Sequence, residues 1–479
     1  MVEIFILLVL LITLLQLVFL GTVIFLENRD PAKTVVWLLI LGALPVLGAL
    51  LYLVFGRTFR RHKLMSRNDN IESRLERIVN NQQSRLAGND VAIGDKGPQK
   101  KKLIRLLLKD ALAPLTVNNR LEVLTNGEDT FKALFDALEG AKDYIHLEYY
   151  IFKDDEVGRD VLKILSRKAS KGIEVRVLVD GWGSRKIASG LSELHQAGAE
   201  AEWFLPVRFP FLSSKLNLRN HRKVVIVDGR MGFIGGLNIG DEYLSRNKKF
   251  GFWRDTFVRL EGESVHFLQT VFLNDWYFAT GRSVDGRKYY PHLDRVGEQL
   301  SQIAASGPDS DWEPILQVFF TAMTGAEKKI YIETPYFIPD ESALMALKTA
   351  ALSGLDVKII FQGVPDHKLT YWASHSYFEE LLEAGVRIYS YRKGILHAKI
   401  LIIDGEIGSV GSANFDMRSF RLNFEISAFV YNREFAARLE QDFVHDLADS
   451  EEIRVVEFRQ RPISYRIKES GARLLSPLL

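Results

Sequence analysis

NHRKVVIVDG, at residues 220–229, and LHAKILIIDG, at residues 396–405, are two copies of one pattern and decide the fold of this chain. Each copy is followed by a similar turn, GGLN at residues 235–238 and GSAN at residues 411–414. The histidines of the two copies, and the asparagines of the two turns, are both separated by 176 residues (397 − 221 and 414 − 238). Two pairs at one spacing indicate an internal duplication.

The duplication extends upstream of both copies. Residues 144–150 (YIHLEYY) resemble residues 330–336 (IYIETPY), and residues 172–180 resemble residues 354–362. Short β-branched runs alternate with longer helical patterns, which predicts strands and helices in turn. Each half is therefore predicted to be an α/β sandwich with a largely parallel sheet, and the two halves are predicted to pack about a pseudo-two-fold axis.

The paired pattern favours chemistry on phosphorus. Side chains two residues apart on a strand point the same way, so His221 is expected beside Lys223 and His397 beside Lys399. A pseudo-two-fold axis then brings all four side chains to one point. Lysine charges suit the oxygens of a phosphodiester, one histidine suits attack on phosphorus, and the other suits proton transfer. A single copy would favour a structural role, but two matching copies favour a shared catalytic site.

Further residues are expected around these four. Asn238 and Asn414 follow the two strands and are predicted to bind the substrate through their amides. An attacking imidazole must present one free nitrogen, and a carboxylate on the other nitrogen sets that tautomer. Glu425 is the candidate for this carboxylate, and Asp255 is its nearest counterpart in the first half.

The composition excludes several classes of site and partner. The 479 residues contain no cysteine, which excludes disulfides, thiolate metal sites and a cysteine nucleophile. Lysine is not a metal ligand at neutral pH and no further residue completes a zinc spacing, so we expect neither a metal nor a cofactor. Residues 1–63 hold six basic and three acidic residues, which leaves 56 basic and 57 acidic residues in the rest. A body of net charge −1 disfavours a nucleic-acid partner.

The N-terminal residues 1–56 are predicted to form a two-helix transmembrane hairpin. Residues 4–26 and 34–56 are apolar stretches that are each about 35 Å long as helices, enough to cross a bilayer. The second stretch has Pro45 near its middle, so a buried or re-entrant helix is the alternative. Residues 57–67 hold five basic residues and no acid, which predicts a cytoplasmic body beside anionic headgroups.

The paired His-x-Lys-x4-Asp motifs resemble the signature of the phospholipase D superfamily, and the whole chain resembles the bacterial cardiolipin synthases within it. The N-terminal spans contribute to this resemblance, as do residues 145–151 and 331–339 and the terminal SPLL at residues 476–479. The resemblance implies two pseudo-symmetric phospholipase D-like α/β sandwich halves with a shared active site behind the transmembrane hairpin. The expected division of the chain is a hairpin at 1–56, a basic juxtamembrane segment and connector at 57–116, a first half at 117–295, and a second half with a C-terminal tail at 296–479.

The resemblance also implies a reaction. One phosphatidylglycerol passes its phosphatidyl group to a histidine and releases glycerol, and a second phosphatidylglycerol accepts the group to form cardiolipin. The implied nucleophile is His221 and the implied acid and base is His397, although pseudo-symmetry leaves the reverse assignment open. The implied catalytic residues are His221, Lys223, Asp228, His397, Lys399 and Asp404, and the implied substrate-binding residues are Asn238, Asn414, Ser412 and Glu425.

Two features of the motif copies do not fit a direct role in binding phosphate. Asp228 and Asp404 lie five residues after the lysines, on the opposite face of an ideal strand, so their positions favour a structural role. Gly-Ser-x-Asn is intact in the second copy with Ser412, but Gly236 stands at the serine position of the first copy. One phosphate contact is therefore expected to be weaker in the first half.

Other functions and partners stay open at this stage. A membrane-bound phospholipase D-type hydrolase would use the same residues and give phosphatidic acid. A nuclease is disfavoured by the hairpin and the near-neutral body, and an inactive scaffold by the intact motifs. The expected partners are phosphatidylglycerol and cardiolipin in an anionic bilayer, in a multi-pass protein of the cell membrane, with a homo-oligomer possible. Residues 463–479 mix Arg, Lys and Leu, and either lie on the membrane or pack on the body.

Overall fold

The computed structural model describes residues 2–26, 31–52, 69–87, 97–206, 217–310 and 312–479. Within these ranges the helices are, in chain order, α1 (Val2–Leu26), α2 (Pro31–Ala43), α3 (Pro45–Leu51), α4 (Asp69–Ala87), α5 (Gly97–Asp110), α6 (Asn126–Gly140), α7 (Glu156–Ser170), α8 (Ala188–Gln196), α9 (Glu263–Thr280), α10 (Pro314–Thr324), α11 (Glu341–Leu352), α12 (Lys368–His375), α13 (Phe378–Glu383), α14 (Met417–Arg421), α15 (Arg433–Ala448), α16 (Val455–Arg459) and α17 (Ile463–Arg473). The strands are β1 (Asn119–Thr125), β2 (Tyr144–Tyr149), β3 (Glu174–Asp180), β4 (Glu200–Phe204), β5 (Arg219–Asn220), β6 (Lys223–Val227), β7 (Met231–Gly235), β8 (Phe252–Arg254), β9 (Thr256–Gly262), β10 (Ser301–Ser306), β11 (Lys329–Thr334), β12 (Phe337–Ile338), β13 (Asp356–Gln362), β14 (Arg387–Tyr391), β15 (Gly394–Leu396), β16 (Ile400–Ile403), β17 (Ile407–Gly411), β18 (Phe415–Asp416), β19 (Asn423–Val430) and β20 (Ser450–Glu452).

Two mixed sheets form the body of the protein. The first has the strand order β1-β9-β7-β6-β2-β3-β4, and the second has the order β10-β19-β17-β16-β11-β13-β14-β20, with β5 paired to β19. Corresponding strands take corresponding places: β6 lies beside β2 in the first sheet, as β16 lies beside β11 in the second. The prediction of two repeated α/β halves is therefore confirmed.

The expectation of largely parallel sheets was wrong. Among the described strands of the two sheet paths, the steps β2–β3–β4 and β11–β13–β14 are parallel and the other neighbours are antiparallel. The turn at the end of each motif explains the antiparallel pairs β6–β7 and β16–β17. Asp228 and Gly229 have φ values of 54° and 63°, and Asp404 and Gly405 have values of 55° and 67°. Such a turn reverses the chain at once, so the next strand returns antiparallel.

The two halves share one hydrophobic core. Successive residues of β6 point to opposite faces of its sheet: Val224 and Ile226 lie in a buried cluster that also contains Ile402 of the second sheet. Val225 and Val227 lie in a separate cluster under the helices of the first half. Because both faces are covered, each motif strand is fixed in position at the centre of the molecule.

Short segments cross between the halves just before each motif. β5 pairs in parallel with β19 of the second half, with Asn220 opposite Phe424. β15 pairs in parallel with β8 of the first half, with Leu396 opposite Arg254. Each crossing segment ends one residue before a motif histidine, so both histidines lie at the boundary between the halves.

The N-terminal helices agree only in part with the predicted hairpin. In the described part of the chain, residues 3–25 form one helix that is long and apolar enough to cross a membrane. The second apolar stretch is broken at Leu44 into α2 and α3, with Pro45 at the first position of α3. Both pieces pack against α1, and Gln16 Nε2 donates to Leu41 O at 3.0 Å. A continuous second span is therefore not confirmed, and the basic residues 57–67 lie outside the described residues.

Candidate active site

The first histidine is held by the second half of the chain. His221 lies between β5 and β6, and its backbone N–H donates to Phe424 O at 2.9 Å. Its Nδ1 lies 2.9 and 3.0 Å from the two carboxylate oxygens of Glu425, the next residue of β19. The expectation that Glu425 orients a histidine therefore agrees with the geometry, although the histidine belongs to the other copy of the motif.

The second histidine repeats this arrangement in reverse. The backbone N–H of His397 donates to Arg254 O at 2.7 Å, and its Nδ1 lies 2.7 Å from Oδ2 of Asp255, the next residue along the first half. A carboxylate accepts hydrogen bonds, so each Nδ1 carries the proton and each Nε2 is the nitrogen left for chemistry. Only 8% of each histidine is exposed.

The two motif lysines are buried beside the histidines. Lys223 Nζ donates to His221 O at 2.6 Å, while Lys399 Nζ donates to His397 O and lies 2.8 Å from His397 Nδ1. Burial lowers the pKa of Lys223 to about 7 and that of Lys399 to about 8. Both Glu425 and Asp255 oppose this effect at each lysine, and Lys399 adds to it at Lys223. The charges of the two halves are therefore close enough to act on one another.

Burial also governs the imidazoles. It lowers the pKa of His221 to about 4, with Lys223 acting in the same direction and Glu425 against it. The pKa of His397 is lowered by burial and by Lys399. Burial alone would raise the pKa of Glu425, but the charges of His221 and Lys223 keep it below its usual value. These shifts leave both imidazoles neutral beside an ionised carboxylate at neutral pH.

The serine of the second turn contacts the carboxylate behind His221. Ser412 is fully buried, and its hydroxyl donates to Glu425 and accepts from Ile426 N at 3.0 Å. The expected phosphate contact of Ser412 therefore needs correction, because its hydroxyl supports the carboxylate behind His221. In the first half, a Cβ at Gly236 would lie 2.2 Å from Asp255 Oδ1, so the carboxylate occupies the space that a serine would need.

The two turn asparagines also differ from the expectation. Asn238 Oδ1 accepts from Ile151 N at 3.1 Å, and its Nδ2 donates to Tyr243 OH at 3.1 Å. Both ends of this amide are used within the protein, so Asn238 fixes the turn instead of offering its amide to a substrate. Asn414 is the better substrate-binding candidate, because its buried Oδ1 has no hydrogen-bond partner among the described residues.

The motif aspartates lie at the far ends of the strands. The Asp228 carboxylate accepts three backbone N–H groups at the start of β2, at 2.8–2.9 Å. The Asp404 carboxylate accepts the N–H groups of residues 327–329 at the start of β11, the shortest at 2.7 Å. Their inclusion among the catalytic residues therefore needs correction. Each joins two neighbouring strands, as their position on the opposite strand face indicated.

Two aromatic residues at the site were missed by the sequence analysis. The ring of Tyr150 lies edge-on to His221 with centroids 4.9 Å apart, and Lys223 Nζ lies 5.4 Å from the centre of the tyrosine ring. The ring of Trp253 lies 5.4 Å from His397. The available signals were the position of Tyr150 at the end of a duplicated strand and that of Trp253 two residues before Asp255.

Buried arginines connect the two halves of the chain behind the histidines. Arg222, between the first motif residues, donates to Asp275, to Glu425 O at 3.1 Å and to Ser306 O at 3.1 Å. Arg254 Nε donates to Asp446 at 2.6 Å. Arg222 thus connects the first motif to β19 and β10 of the second half, and Arg254 connects β8 of the first half to α15 of the second.

Comparisons with known proteins identify the family of such a site. Residues 134–276 and 319–447 match a family model described as "Cardiolipin synthase, PLD-like domain", and residues 14–57 match one described as "Phospholipase_D-nuclease N-terminal". A cardiolipin synthase of Geobacillus sp. (strain WCH70) is 47% identical over 469 residues, which cover 97% of this chain and 92% of the relative. The major cardiolipin synthase of Bacillus subtilis (strain 168) is 44% identical over 461 residues, 95% of this chain and 96% of the relative.

Among solved structures, the phosphatidylserine synthase of Haemophilus influenzae Rd KW20 superposes with a TM-score of 0.59. The two proteins are 15% identical, and the match covers 79% of this chain and all of that one. At this identity the likeness concerns the fold, and it supports the paired α/β halves described above.

Proposed function

The chain belongs to the cardiolipin synthase family of phospholipase D-like proteins, and we propose that it joins two phosphatidylglycerol molecules into cardiolipin at one site shared by its halves. It is a phosphatidyltransferase, so one phosphodiester replaces another. The observation behind the proposal is the way the histidines are held. Each lies beside a lysine of its own half, and its Nδ1 contacts a carboxylate of the other half. A phosphodiester seated there meets a nucleophile, a proton donor and two cations together.

In the first step we assign the attack to His221. Its Nε2 bonds to the phosphorus of one phosphatidylglycerol, the bond from phosphorus to the headgroup glycerol oxygen breaks, and His397 gives that oxygen its proton. Glycerol leaves, and the phosphatidyl group remains on His221. Lys223 and Lys399 hold the non-bridging oxygens, and this attraction is strongest where charge accumulates in the transition state.

In the second step the headgroup of another phosphatidylglycerol takes the place of the released glycerol. His397, now neutral, accepts the proton of the headgroup hydroxyl, the oxygen bonds to phosphorus, and the bond between phosphorus and His221 breaks. Two phosphatidylglycerol molecules thus give one cardiolipin and one glycerol, and both histidines return to their starting states.

The surroundings of the two imidazoles support this division of roles. Lys399 Nζ lies 2.8 Å from His397 Nδ1, which destabilises the protonated ring and makes it a better proton donor. Glu425 contacts His221 Nδ1 with both oxygens and suits a ring that becomes positive on bonding to phosphorus. A bound phosphodiester anion offsets the repulsion from the lysines, which raises the low pKa of His397 so that it carries its proton in the complex.

We also propose a multi-pass protein of the cell membrane with its catalytic body, residues 117–479, on the cytoplasmic side. The length of α1 and the apolar stretch at residues 34–56 support the membrane spans, and the five basic residues of 57–67 support the orientation. Phosphatidylglycerol and cardiolipin are then anionic lipids of the bilayer in which the protein is anchored.

Product identification tests the proposed reaction. The purified full-length protein is incubated with phosphatidylglycerol vesicles, and the products are identified by mass spectrometry, with His221→Ala as the matched control. We expect cardiolipin and glycerol in equal amounts from the natural sequence and neither product from the variant. Phosphatidic acid with glycerol would instead show that water accepts the phosphatidyl group, and no product would overturn the assignment of phosphatidylglycerol as the donor.

A further inference from the structure

The C-terminal helix α17 presents its apolar residues to solvent. Its buried residues are Glu469 and Ala472, whereas Ile463 is 75% exposed, Ile467 66% and Leu474, directly after the helix, 82%. Spacings of four and seven residues place these three on one stripe of the helix. An amphipathic helix on a folded body normally turns that stripe inward, so α17 is inverted relative to an ordinary surface helix.

The charge on this helix is positive. Arg466 and Lys468 are exposed, whereas Arg473 donates to Glu380 of the body at 3.1 Å. The single acid of α17, Glu469, is buried against Arg461 with contacts of 2.9 and 3.0 Å. Exposed apolar residues flanked by cations are typical of a helix lying in the interface of an anionic bilayer.

Aromatic residues extend the same surface. Tyr465 is 45% exposed and packs edge-on against Trp372 of α12 with ring centroids 4.9 Å apart, and Lys468 Nζ lies 5.1 Å from the tryptophan ring. Tyrosine and tryptophan are enriched at the headgroup level of membranes, because their rings are apolar and their tips are polar.

This surface connects to the proposed active site at two points. α12 begins two residues after Asp366, whose charge acts on Lys399 and whose carboxylate accepts a hydrogen bond from Tyr336. The chain terminus rests on α14, the helix that follows Asn414, where Leu479 O accepts from Arg418 N at 2.9 Å. A membrane contact through α17 would therefore bring the loops around the second motif to the bilayer.

We propose that α17 lies on the anionic bilayer to which the protein is attached, with Ile463, Ile467 and Leu474 among the acyl chains and the basic residues at the headgroups. This contact presents the site to lipids that stay in the membrane. The inference rests on the proposed function only in that the substrate is a lipid, and the bilayer is the occupant favoured by the positive charge and the N-terminal apolar helix.

Spin labelling tests the contact directly, because the chain contains no native cysteine. Ile467→Cys is labelled with a nitroxide in the full-length protein and reconstituted into vesicles of phosphatidylglycerol and phosphatidylcholine. We expect relaxation by oxygen, which partitions into the bilayer, and loss of relaxation by an aqueous nickel chelate. The matched control is Lys163→Cys on α7, whose side chain is 74% exposed, and its label should remain open to nickel.

Each other result overturns the proposal. Equal nickel relaxation at both positions places α17 in water. Dipolar broadening between labels at position 467 that disappears on dilution with unlabelled protein shows a second copy of the chain on this face. The readout does not depend on turnover, so cardiolipin formation with a water-exposed label refutes the contact alone, and a bilayer-buried label without cardiolipin refutes the proposed function alone.

A charged substitution adds a functional test. Ile467→Glu is expected to slow turnover of long-chain phosphatidylglycerol in vesicles and to leave turnover of monomeric dihexanoyl phosphatidylglycerol unchanged. An equal loss on both substrates, or no loss on vesicles, would contradict a role of α17 in membrane contact.

Discussion

His221 and His397 occupy equivalent places, but the carboxylates behind them have different support. Glu425 accepts hydrogen bonds from Ser412 and from Asn423 Nδ2, the latter at 3.1 Å, in addition to its contact with His221. Asp255 accepts from the Thr256 N–H at 2.8 Å, and Gly236 stands at the position equivalent to Ser412. The duplication has kept the histidines while the groups that hold them have diverged.

The unequal support of the two carboxylates suits the two histidines to different tasks. Glu425, the carboxylate that accepts more hydrogen bonds, orients His221, which must stay rigid while it bonds to phosphorus. His397, which lies beside Asp255, has Lys399 Nζ 2.8 Å from its Nδ1, and this cation favours release of the proton from the ring.

Removal of either histidine should have the largest effect, and the two losses should differ in kind. His221→Ala should abolish both glycerol release and cardiolipin formation, because no nucleophile remains. His397→Ala should slow both steps by about 10²- to 10⁴-fold, the usual contribution of a positioned acid and base. Steady-state assays with radiolabelled phosphatidylglycerol measure both, and unchanged thermal unfolding is the control. Substantial cardiolipin formation by His221→Ala would reverse the assignment.

Neutral replacements of the carboxylates should come next. Glu425→Gln and Asp255→Asn keep the shape but no longer fix the Nδ1–H tautomer, and each should lower kcat by about 10²- to 10⁴-fold. Glu425→Gln should slow glycerol release and cardiolipin formation alike, since it affects the attacking ring. The rates of the two products are measured in parallel. Activity within twofold of the natural sequence in either variant would show that the crossed carboxylates are only structural.

The pH dependence should reveal the buried lysines. The pKa of Lys223 near 7 means that its charge is lost as pH rises through that value. In His397→Ala, which lacks the titration of the general acid, the residual rate at limiting phosphatidylglycerol should therefore fall between about pH 7 and 8. The acid limb should lie near pH 4, below which His221 is protonated and cannot attack. Lys223→Arg keeps its charge, and it should move the alkaline limb upward in the same assay. An alkaline limb that stays in place would exclude Lys223 as its origin.

The turn positions offer a smaller and more local test. Ser412→Ala removes one charge-assisted hydrogen bond from Glu425, worth about 1.5–3 kcal/mol, and should lower kcat by roughly 10- to 100-fold. Gly236→Ala should instead displace Asp255 in the first half, because the new Cβ would lie 2.2 Å from Asp255 Oδ1. Measurement of kcat and of the unfolding temperature for each variant distinguishes the effect of Ser412→Ala from that of Gly236→Ala. A silent Ser412→Ala would remove the proposed advantage of Glu425 over Asp255.

The motif aspartates should affect stability and not chemistry. Asp228→Ala leaves the N–H groups at the start of β2 without their acceptor, which should cost about 1–3 kcal/mol of unfolding free energy. Asp404→Ala should do the same at β11. Thermal unfolding in detergent and kcat per folded molecule are the measurements. A loss of kcat comparable to that of Glu425→Gln would place these residues in the catalytic machinery after all.

The sequence predicted the halves and the site because both depend on short-range signals. The duplicated strands have buried, β-branched residues at matching positions, and the spacing of His221 and Lys223 puts both on one side of the chain. Glu425 was found because the chemistry of an attacking imidazole requires a carboxylate. These inferences needed no knowledge of how the halves pack.

What the sequence did not predict depends on contacts between distant segments. The crossing of β5 and β15 decides which carboxylate serves which histidine, and no local pattern encodes it. The roles of Ser412 and Asn238 follow from the partners of their side chains, which fold-level symmetry does not specify. The antiparallel return after each motif follows from Asp-Gly, a known turn pair, whereas the alternation of strands and helices favours a parallel sheet.

Trapping of the covalent intermediate identifies the histidine that attacks phosphorus. The protein is mixed with phosphatidylglycerol labelled at phosphorus, denatured within the first turnovers at alkaline pH, where phosphohistidine survives, and digested for mass spectrometry. We predict a phosphatidyl group on His221, retained in His397→Ala and lost in His221→Ala. A label on His397, or cardiolipin formed with no labelled histidine, would contradict the proposed division of roles between the two halves.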